Sequence, residues 1–391
     1  MGDRCPSCAS GDTRSFYEAK GVPVHDVSLM LTREEATSCL RGDIVLAACR
    51  QCGFIFNSAH DPSLQEYSAC YEPTQWFSPK FDAFARSLAQ RLVDRYSLRG
   101  KDILEIGCGK GEFLALLCKL GDNRGTGIDK AYVPERTPPE LANRLTFIRD
   151  FYTEKYAHLK ADFICCRHTL EHIDETGGFI RMLRRAIGDQ TDTVVFFEVP
   201  DVTRILHEGA FWDVYYEHCS YFSPGSLARL FRASGFEIDE LDRVYQDHYI
   251  VITCRPADCP SGPSLEVEDD MQALQDAVGG FTRLSEEQID LWRRRVNQRA
   301  SQGRRTVIWG SGSKAVTFLT TLALDDQIAC VVDVNPYKHG KFMPGTGHGI
   351  VPPQGLADIR PDAVIVMNPV YRGEIQAELG RMGLTPQLLS L

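Results

Sequence analysis

The stretch Ile103-Leu104-Glu105-Ile106-Gly107-Cys108-Gly109-Lys110-Gly111-Glu112-Phe113 decides the fold. An apolar strand runs into a three-glycine turn that opens an amphipathic helix. Glycines let the backbone turn sharply and approach a ligand closely, and the helix that follows offers free N–H groups at its start. Two carboxylates sharpen the pattern. Glu105 lies inside the strand, two residues before the first glycine. Asp129, in Gly125-Thr126-Gly127-Ile128-Asp129, falls where the next parallel strand should end, the place where a ribose diol is usually gripped.

Two other readings compete. A nicotinamide dinucleotide enzyme would usually carry G-x-G-x-x-G, whose third glycine allows close helix packing beside a pyrophosphate. The spacing here is G-x-G-x-G, which suits a nucleoside without phosphates. A purely structural turn is the bland alternative, and the acid at the second strand speaks against it.

A chain of 391 residues leaves room for two or three domains of roughly 150 residues. At 43% hydrophobic and 25% charged it has ordinary globular composition. Its net charge of −10 argues against a general nucleic-acid or anionic-membrane surface, because that attraction needs a basic footprint. The longest apolar runs fall far short of a membrane span, and Met1-Gly2-Asp3-Arg4-Cys5 lacks the basic-then-apolar layout of a secretory leader. The expectation is a cytoplasmic chain, monomeric or a small homo-oligomer, with no membrane or nucleic-acid partner.

Of the 14 cysteines, many, such as Cys165, Cys166 and Cys330, sit in predicted buried elements and read as small apolar fillers in a reducing compartment. Four differ. Cys5-Pro6-Ser7-Cys8 and Cys49-Arg50-Gln51-Cys52 are two C-x-x-C knuckles, which predict a tetrahedral zinc site. Four thiolates leave no open coordination position, so the metal is structural. It should hold a lobe with too little apolar sequence to fold alone.

Along the chain, 1–66 reads as the zinc-binding lobe. From 67 to 256 an aromatic connector leads into alternating strands and helices, which imply a parallel sheet covered on both faces. Predicted strands span 102–106, 124–128, 163–166 and 193–198, with an antiparallel pair near 236–243 and 249–255. Residues 257–303 read as a linker, rich in Pro, Gly and Ser at 257–264, followed by a charged helical segment. A second α/β unit occupies 304–391, opening with Thr306-Val307-Ile308-Trp309-Gly310. The predicted fold class is therefore α/β: a small zinc lobe and two Rossmann-like units.

The chemistry concentrates in Phe211-Trp212-Asp213-Val214-Tyr215-Tyr216-Glu217-His218, which follows the strand end Glu198-Val199-Pro200-Asp201 in the loop region where ligands of open α/β sheets collect. Histidine takes a proton near neutral pH, and a neighbouring Glu and Tyr orient it or stabilise charge on oxygen. An aromatic lid, with Ser223 capping the next helix, is the bland reading, and both hold together. Elsewhere Asp150 ends a third strand where an adenine amino group could be read. His168 and Glu171 lie in Arg167-His168-Thr169-Leu170-Glu171-His172; a metal reading of His168 with His172 lacks the H-E-x-x-H pattern, and structural or supporting histidines are the preferred reading.

The glycine loop resembles motif I of the class I S-adenosylmethionine-dependent methyltransferases, and the Leu-Glu-His stretch resembles a segment beside their cofactor. The whole chain resembles the three-domain sugar C-methyltransferases, which join a zinc-binding lobe, an adenosylmethionine domain and a C-terminal Rossmann-like domain. The resemblance implies cofactor contacts at Glu105, Gly107, Gly109, Gly111, Asp129, Asp150, His168 and Glu171. It implies a base at His218 with Glu217 orienting it, and Tyr215 or Tyr71 stabilising an enolate; Tyr67 is the fallback for Tyr71. Tyr216 stands where the family has the first His of its Tyr-His-Glu-His segment, a departure that leaves the base in place and bears on the substrate's substituents.

In the C-terminal unit, Gly310-Ser311-Gly312-Ser313-Lys314-Ala315 followed by Asp333 would suggest NAD if taken alone. Lys314, Asn335 and Lys338 are instead read as substrate contacts suited to an anionic nucleotide-sugar; a decayed dinucleotide fold that only packs is the alternative. The implied activity is methyl transfer from S-adenosyl-L-methionine to a carbon beside the ketone of a nucleotide-linked keto-sugar. An O- or N-methyltransferase and a non-catalytic nucleotide-sugar binding protein are the rival readings.

Overall fold

The computed structural model describes residues 4–65, 67, 70–258 and 262–391. The chain builds three sheets. The first holds β1 (Thr13–Pro23), β2 (Arg41–Cys49) and β3 (Ile55–Asn57), all antiparallel neighbours. Its fourth strand comes from far along the sequence: β9 (Ser220–Tyr221) pairs with β3, Ile55 opposite Tyr221 and Phe56 opposite Ser220.

The central sheet contains β4 (Asp102–Ile106), β5 (Arg124–Ile128), β6 (Leu145–Ile148), β7 (Phe163–Arg167), β8 (Val194–Pro200), β10 (Phe236–Val244) and β11 (Tyr249–Pro256). Their order is β10-β11-β8-β7-β4-β5-β6. All pairings from β8 to β6 are parallel, and the β10–β11 hairpin closes the other edge antiparallel. The chain leaves β4 in one direction and returns on its other side as β7, so the carboxyl end of β4 sits at a topological switch point, where such sheets form a ligand crevice. Near-continuous apolar strands such as Phe163–Arg167 are buried on both faces, one packed under Leu88, Leu92, Leu114 and Leu117 and the other under Ile180, Leu183, Leu227 and Phe231. The helix after β9 begins at Pro224 with Ser223 as its cap, and the Ser226 hydroxyl accepts from the Ser223 backbone N–H, as the Ser-Pro-Gly-Ser spacing predicts.

The third sheet is wholly parallel: β12 (Thr306–Trp309), β13 (Val331–Val332), β14 (Ile350–Val351), β15 (Ala363–Val366) and β16 (Gln387–Ser390), in the order β14-β13-β12-β15-β16. The charged segment ahead of it is a 31-residue helix, Met271–Ser301, that does more than connect. Its apolar stripe sets Phe281 5.1 Å from Tyr17 of β1 and Trp292 5.5 Å from Phe318 of the C-terminal unit, bracing the first sheet against the third. Residues 259–261 of the predicted linker lie outside the described residues. No described helix is long and apolar enough to cross a membrane.

Candidate functional site

The glycine loop is shaped by what stands against it. Gly107 has φ +67°, and a Cβ there would lie 2.0 Å from Thr169 Oγ1, so no larger residue fits. Gly109, at φ +55°, has open space where its Cβ would be. Its N–H donates to Asp129 Oδ2 at 2.8 Å, while Asp129 Oδ1 accepts from Ala131 N at 2.7 Å. A Cβ on Gly111 would meet the Phe147 ring at 2.6 Å. Glu105 is buried, one carboxyl oxygen has no hydrogen-bond partner, and burial pushes its pKa up to about 8. Glu171 is likewise buried with an unpartnered oxygen and pushed up to about 8. An orphaned acid beside an open glycine is what a cationic nucleoside cofactor fits, since the cation supplies the missing partner.

Two of the expected cofactor residues are engaged by protein. Asp150 accepts from Tyr156 Oη at 2.6 Å and Lys155 Nζ at 2.9 Å, and these bonds hold it down to about 2. His168, at φ +50°, places Nε2 2.9 Å from Glu198 Oε1. Burial pushes Glu198 up, but Arg167, 2.8 Å away, together with His168, outweighs it and holds Glu198 at about 2.

The Tyr-Tyr-Glu-His segment sits between β8 and β9, and its four residues point to different places. His218 is 7% exposed on the cavity wall, its ring 4.2 Å from that of Tyr215 and 4.8 Å from that of His172. Burial, then His172 and His168, hold it neutral, well below the usual histidine range. His172 is pushed down to about 4 by burial, and its Nδ1 meets Tyr67 Oη at 3.1 Å. Glu171, His172 and His218 bring one ligand-type atom each within 4.8 Å of one another, so it is His218 rather than His168 that joins His172.

Glu217 does not orient His218 as expected. Its Oε1 accepts from Asp26 N at 2.7 Å and its Oε2 from Tyr71 Oη at 2.8 Å, so the carboxylate is turned to the N-terminal lobe and the connector. Tyr216 also departs from expectation: it does not line the cavity. It is fully buried in the N-terminal lobe, where its hydroxyl accepts from Asp61 N at 2.9 Å and its ring fills the space a Cβ on Gly42 would need. Tyr216 is thus a packing residue, away from the cavity lining.

Across the cavity, the C-terminal unit repeats the central construction. Asp333 accepts from Ser311 N at 2.9 Å and from Asn335 N at 2.8 Å, as Asp129 does from Gly109 and Ala131. Lys338 Nζ lies 3.7 Å from Asp333 Oδ2. Lys314 Nζ is 2.9 Å from Asp213, which also takes Arg204 at 2.6 Å. Asn335 Nδ2 donates to Glu72 Oε1 at 3.1 Å. Glu72 Oε2 takes Arg136 at 2.5 Å, and that guanidinium lies 3.8 Å over the Tyr337 ring. Sequence spacing gives no signal for Glu72, Arg136 or Asp26, whose partners are remote in the chain, nor for the meeting of Asp213 with Lys314, 101 positions away.

One cavity of ≈ 760 Å³ joins these groups. Glu105, Gly107, Asp129, Asp150, His168 and Glu171 line it from the central sheet, and Tyr71, Tyr215, Glu217 and His218 from the connector and the loop before β9. Gly312, Lys314, Asn335 and Lys338 line it from the third sheet. Apart from this cavity, Cys5, Cys8, Cys49 and Cys52 converge, with Cys5 Sγ to Cys52 Sγ and Cys8 Sγ to Cys49 Sγ both 3.6 Å, a cluster able to hold a metal ion.

A methyltransferase-domain model matches residues 81–241, and a C-methyltransferase C-terminal domain model matches 266–383. The C-methyltransferase NovU of Streptomyces niveus is 25% identical over 308 residues, covering 74% of this chain and 72% of that protein. Among solved structures, the 1,6-didemethyltoxoflavin-N1-methyltransferase of Burkholderia thailandensis is 22% identical, covering 46% of this chain and 80% of its own, with TM-score 0.37. The magnesium protoporphyrin IX methyltransferase of Synechocystis PCC 6803 is 17% identical, covering 46% and 84%, with TM-score 0.36. With two family models matched in succession along it and a relative similar over most of its length, the chain is an S-adenosylmethionine-dependent methyltransferase whose C-terminal unit matches the C-methyltransferase C-terminal domain.

Proposed function

We propose that the chain methylates a carbon beside the ketone of a nucleotide-linked keto-sugar. The observation that carries this reading is a His218 ring held neutral beside Tyr215, on the wall of a cavity shared with the Glu105–Gly111 loop. S-adenosylmethionine supplies an electrophilic methyl group. His218, held uncharged, has a lone pair ready to accept the α-proton, and a positioned base of this kind contributes about 10²–10⁴-fold. Tyr215, kept as a phenol by burial, donates to the developing enolate oxygen. Glu217 fixes Tyr71 through its hydroxyl, which orients the connector face of the site. The glycine loop, Glu105 and Asp129 hold the cofactor, and aligning methyl with carbon removes roughly 7–11 kcal/mol of barrier.

Lys314, Asn335 and Lys338 bind the anionic end of the substrate. Asp213 and Asp333 neutralise the two lysines in its absence, and the phosphate oxygens compete for them. Zinc is the ion for the four thiols. Four sulfurs at Zn–S distance form a tetrahedron with edges of about 3.8 Å, close to the 3.6 Å separations found.

The test is mass spectrometry of reactions with adenosylmethionine and a panel of nucleotide-linked 4-keto-sugars deuterated beside the ketone. Methylated product with loss of deuterium is expected. Methylation that keeps the label would move the reaction to oxygen or nitrogen, and no methylation across the panel would remove the keto-sugar reading.

A further inference from the structure

Asp26 is the least explained buried group in the molecule. It follows β1 in the N-terminal lobe, is 1% exposed, and lies outside the cavity wall, which begins with its neighbour Val27. Its backbone N–H donates to Glu217 Oε1, yet its own Oδ2 is buried without a hydrogen-bond partner among the described residues. Among the described residues, the ionisable groups whose interaction with its carboxyl is resolved are Glu217, Tyr71, Tyr215, Tyr221 and Cys39, none of them a cation. No described ion pair reaches either Asp26 or Glu217.

Two carboxyls in one desolvated pocket without a cation do not both ionise; they titrate as a pair that holds a proton. The donors decide which member holds it. Glu217 accepts from Asp26 N and Tyr71 Oη, and the Val27 backbone N–H also favours its anion. The buried Asp26 Oδ2 receives nothing. We propose that Asp26 is a positioning residue that carries the proton of a buried Asp26–Glu217 acid pair, so that the pair's one negative charge rests on Glu217 and holds Tyr71 in the site. This rests on the reading of Glu217 and Tyr71 as part of the methyl-transfer site. Titration agrees with the geometry: burial pushes Glu217 to about 7, while burial and then the Glu217 charge push Asp26 well above the usual carboxylate range.

The assignment explains why an acid is tolerated there. A neutral acid beside an anion costs far less than a second anion, and an amide of the same shape would serve as well. If Asp26 ionised, its charge would compete with Glu217 for the site and loosen Tyr71. Turnover should therefore fall at alkaline pH through Asp26, independently of the acid limb set by Glu217.

The test is infrared difference spectroscopy on the full chain at pH 8 without ligands, wild type against Asp26→Asn. Loss of a protonated carboxylic-acid C=O band in the variant is expected. Loss of a carboxylate band instead would show Asp26 ionised and overturn the proposal, with no dependence on the identity of the substrate. Kinetically, Asp26→Ala should lose about 10²-fold in turnover by misplacing Tyr71. Asp26→Asn should recover most of that loss and abolish the alkaline fall, and an unchanged alkaline limb in Asp26→Asn would also overturn the assignment. The infrared measurement stands even if the alanine variant fails to fold.

Discussion

Phe56, in the lobe that carries the cysteines, is the strand partner of Ser220, two residues beyond His218. Asn57 N also donates to Cys219 O at 2.9 Å, so the chain just after the candidate base is tied to β3. β3 in turn pairs with β2, and β2 ends at Cys49. The cysteine cluster thus connects to the position of His218 through two strand pairings, which gives a structural metal a route to the chemistry without touching a ligand.

If the cluster holds the proposed zinc, its removal by chelation or by Cys49→Ser with Cys52→Ser is predicted to slacken the β3–β9 pairing. Turnover should drop by about 10²-fold, the scale set by misplacing a catalytic group by 1 Å. Adenosylmethionine affinity, which rests on the central sheet, should change far less. Elemental analysis, calorimetric titration and turnover on the same preparations check this; parallel losses of affinity and turnover would show that the lobe supports the whole fold instead.

Tyr216→Phe separates packing from chemistry beside the candidate base. The ring stays against Gly42, and the bonds with the Asp61 backbone are lost. Stability should fall by about 0.5–1.5 kcal/mol with kcat unchanged, read by urea unfolding and by turnover. A large fall in kcat would place the hydroxyl in the reaction.

What could be read from residues alone was whatever is local in the chain. The strand–glycine–helix pattern at 103–113 places Glu105 and Asp129 on one sheet end because neighbouring parallel strands must stop there, and the Ser223 cap follows from a spacing of three. The C-x-x-C pairs bring their own geometry. The Asp26–Glu217 contact spans 191 positions, and Glu72 meets Asn335 across 263. Such contacts depend on how three sheets dock, which hydrophobic periodicity does not encode. Even the local reading of Glu217 failed on direction, because adjacency to His218 in sequence says nothing about where the carboxylate turns in a loop.

Glu105 is predicted to make cofactor binding a proton-release event. Its folded pKa of about 8 lies above the ordinary 4.5, so its favourable contribution to folding is complete below 4.5 and is lost as pH rises through 8. A cation bound beside it favours the ionised form. Adenosylmethionine should therefore release a fraction of a proton near pH 7, and its thermal stabilisation of the protein should grow from pH 6 to pH 8. Calorimetry in buffers of different ionisation enthalpy measures the release. Glu105→Gln should abolish the share due to this residue, leaving whatever Glu171, also pushed to about 8, contributes; release undiminished in Glu105→Gln would take the cation away from Glu105.

Glu72 joins three parts of the chain through one carboxylate: it comes from the connector, takes Arg136 from the loop after β5, and accepts from Asn335 at the end of β13. It is 2% exposed, and the Arg136 side chain is only 13% exposed, so the pair is largely out of solvent. Glu72→Ala leaves that guanidinium with Glu112 at 3.7 Å as its remaining carboxylate, and breaking a buried pair from one side costs about 3–5 kcal/mol. Asn335→Ala removes only a hydrogen bond to a charged group, worth about 1.5–3 kcal/mol. The double variant should lose less than the sum, with a coupling of about 0.5–3 kcal/mol, measurable by urea unfolding. Because Arg136 reaches Glu112 on the central-sheet side of the cavity and Asn335 lines it from the third sheet, Glu72→Ala should also weaken both cofactor and substrate, whereas Asn335→Ala should weaken substrate alone. Additive stabilities, or a loss confined to one ligand in Glu72→Ala, would show that the two sides are held together elsewhere.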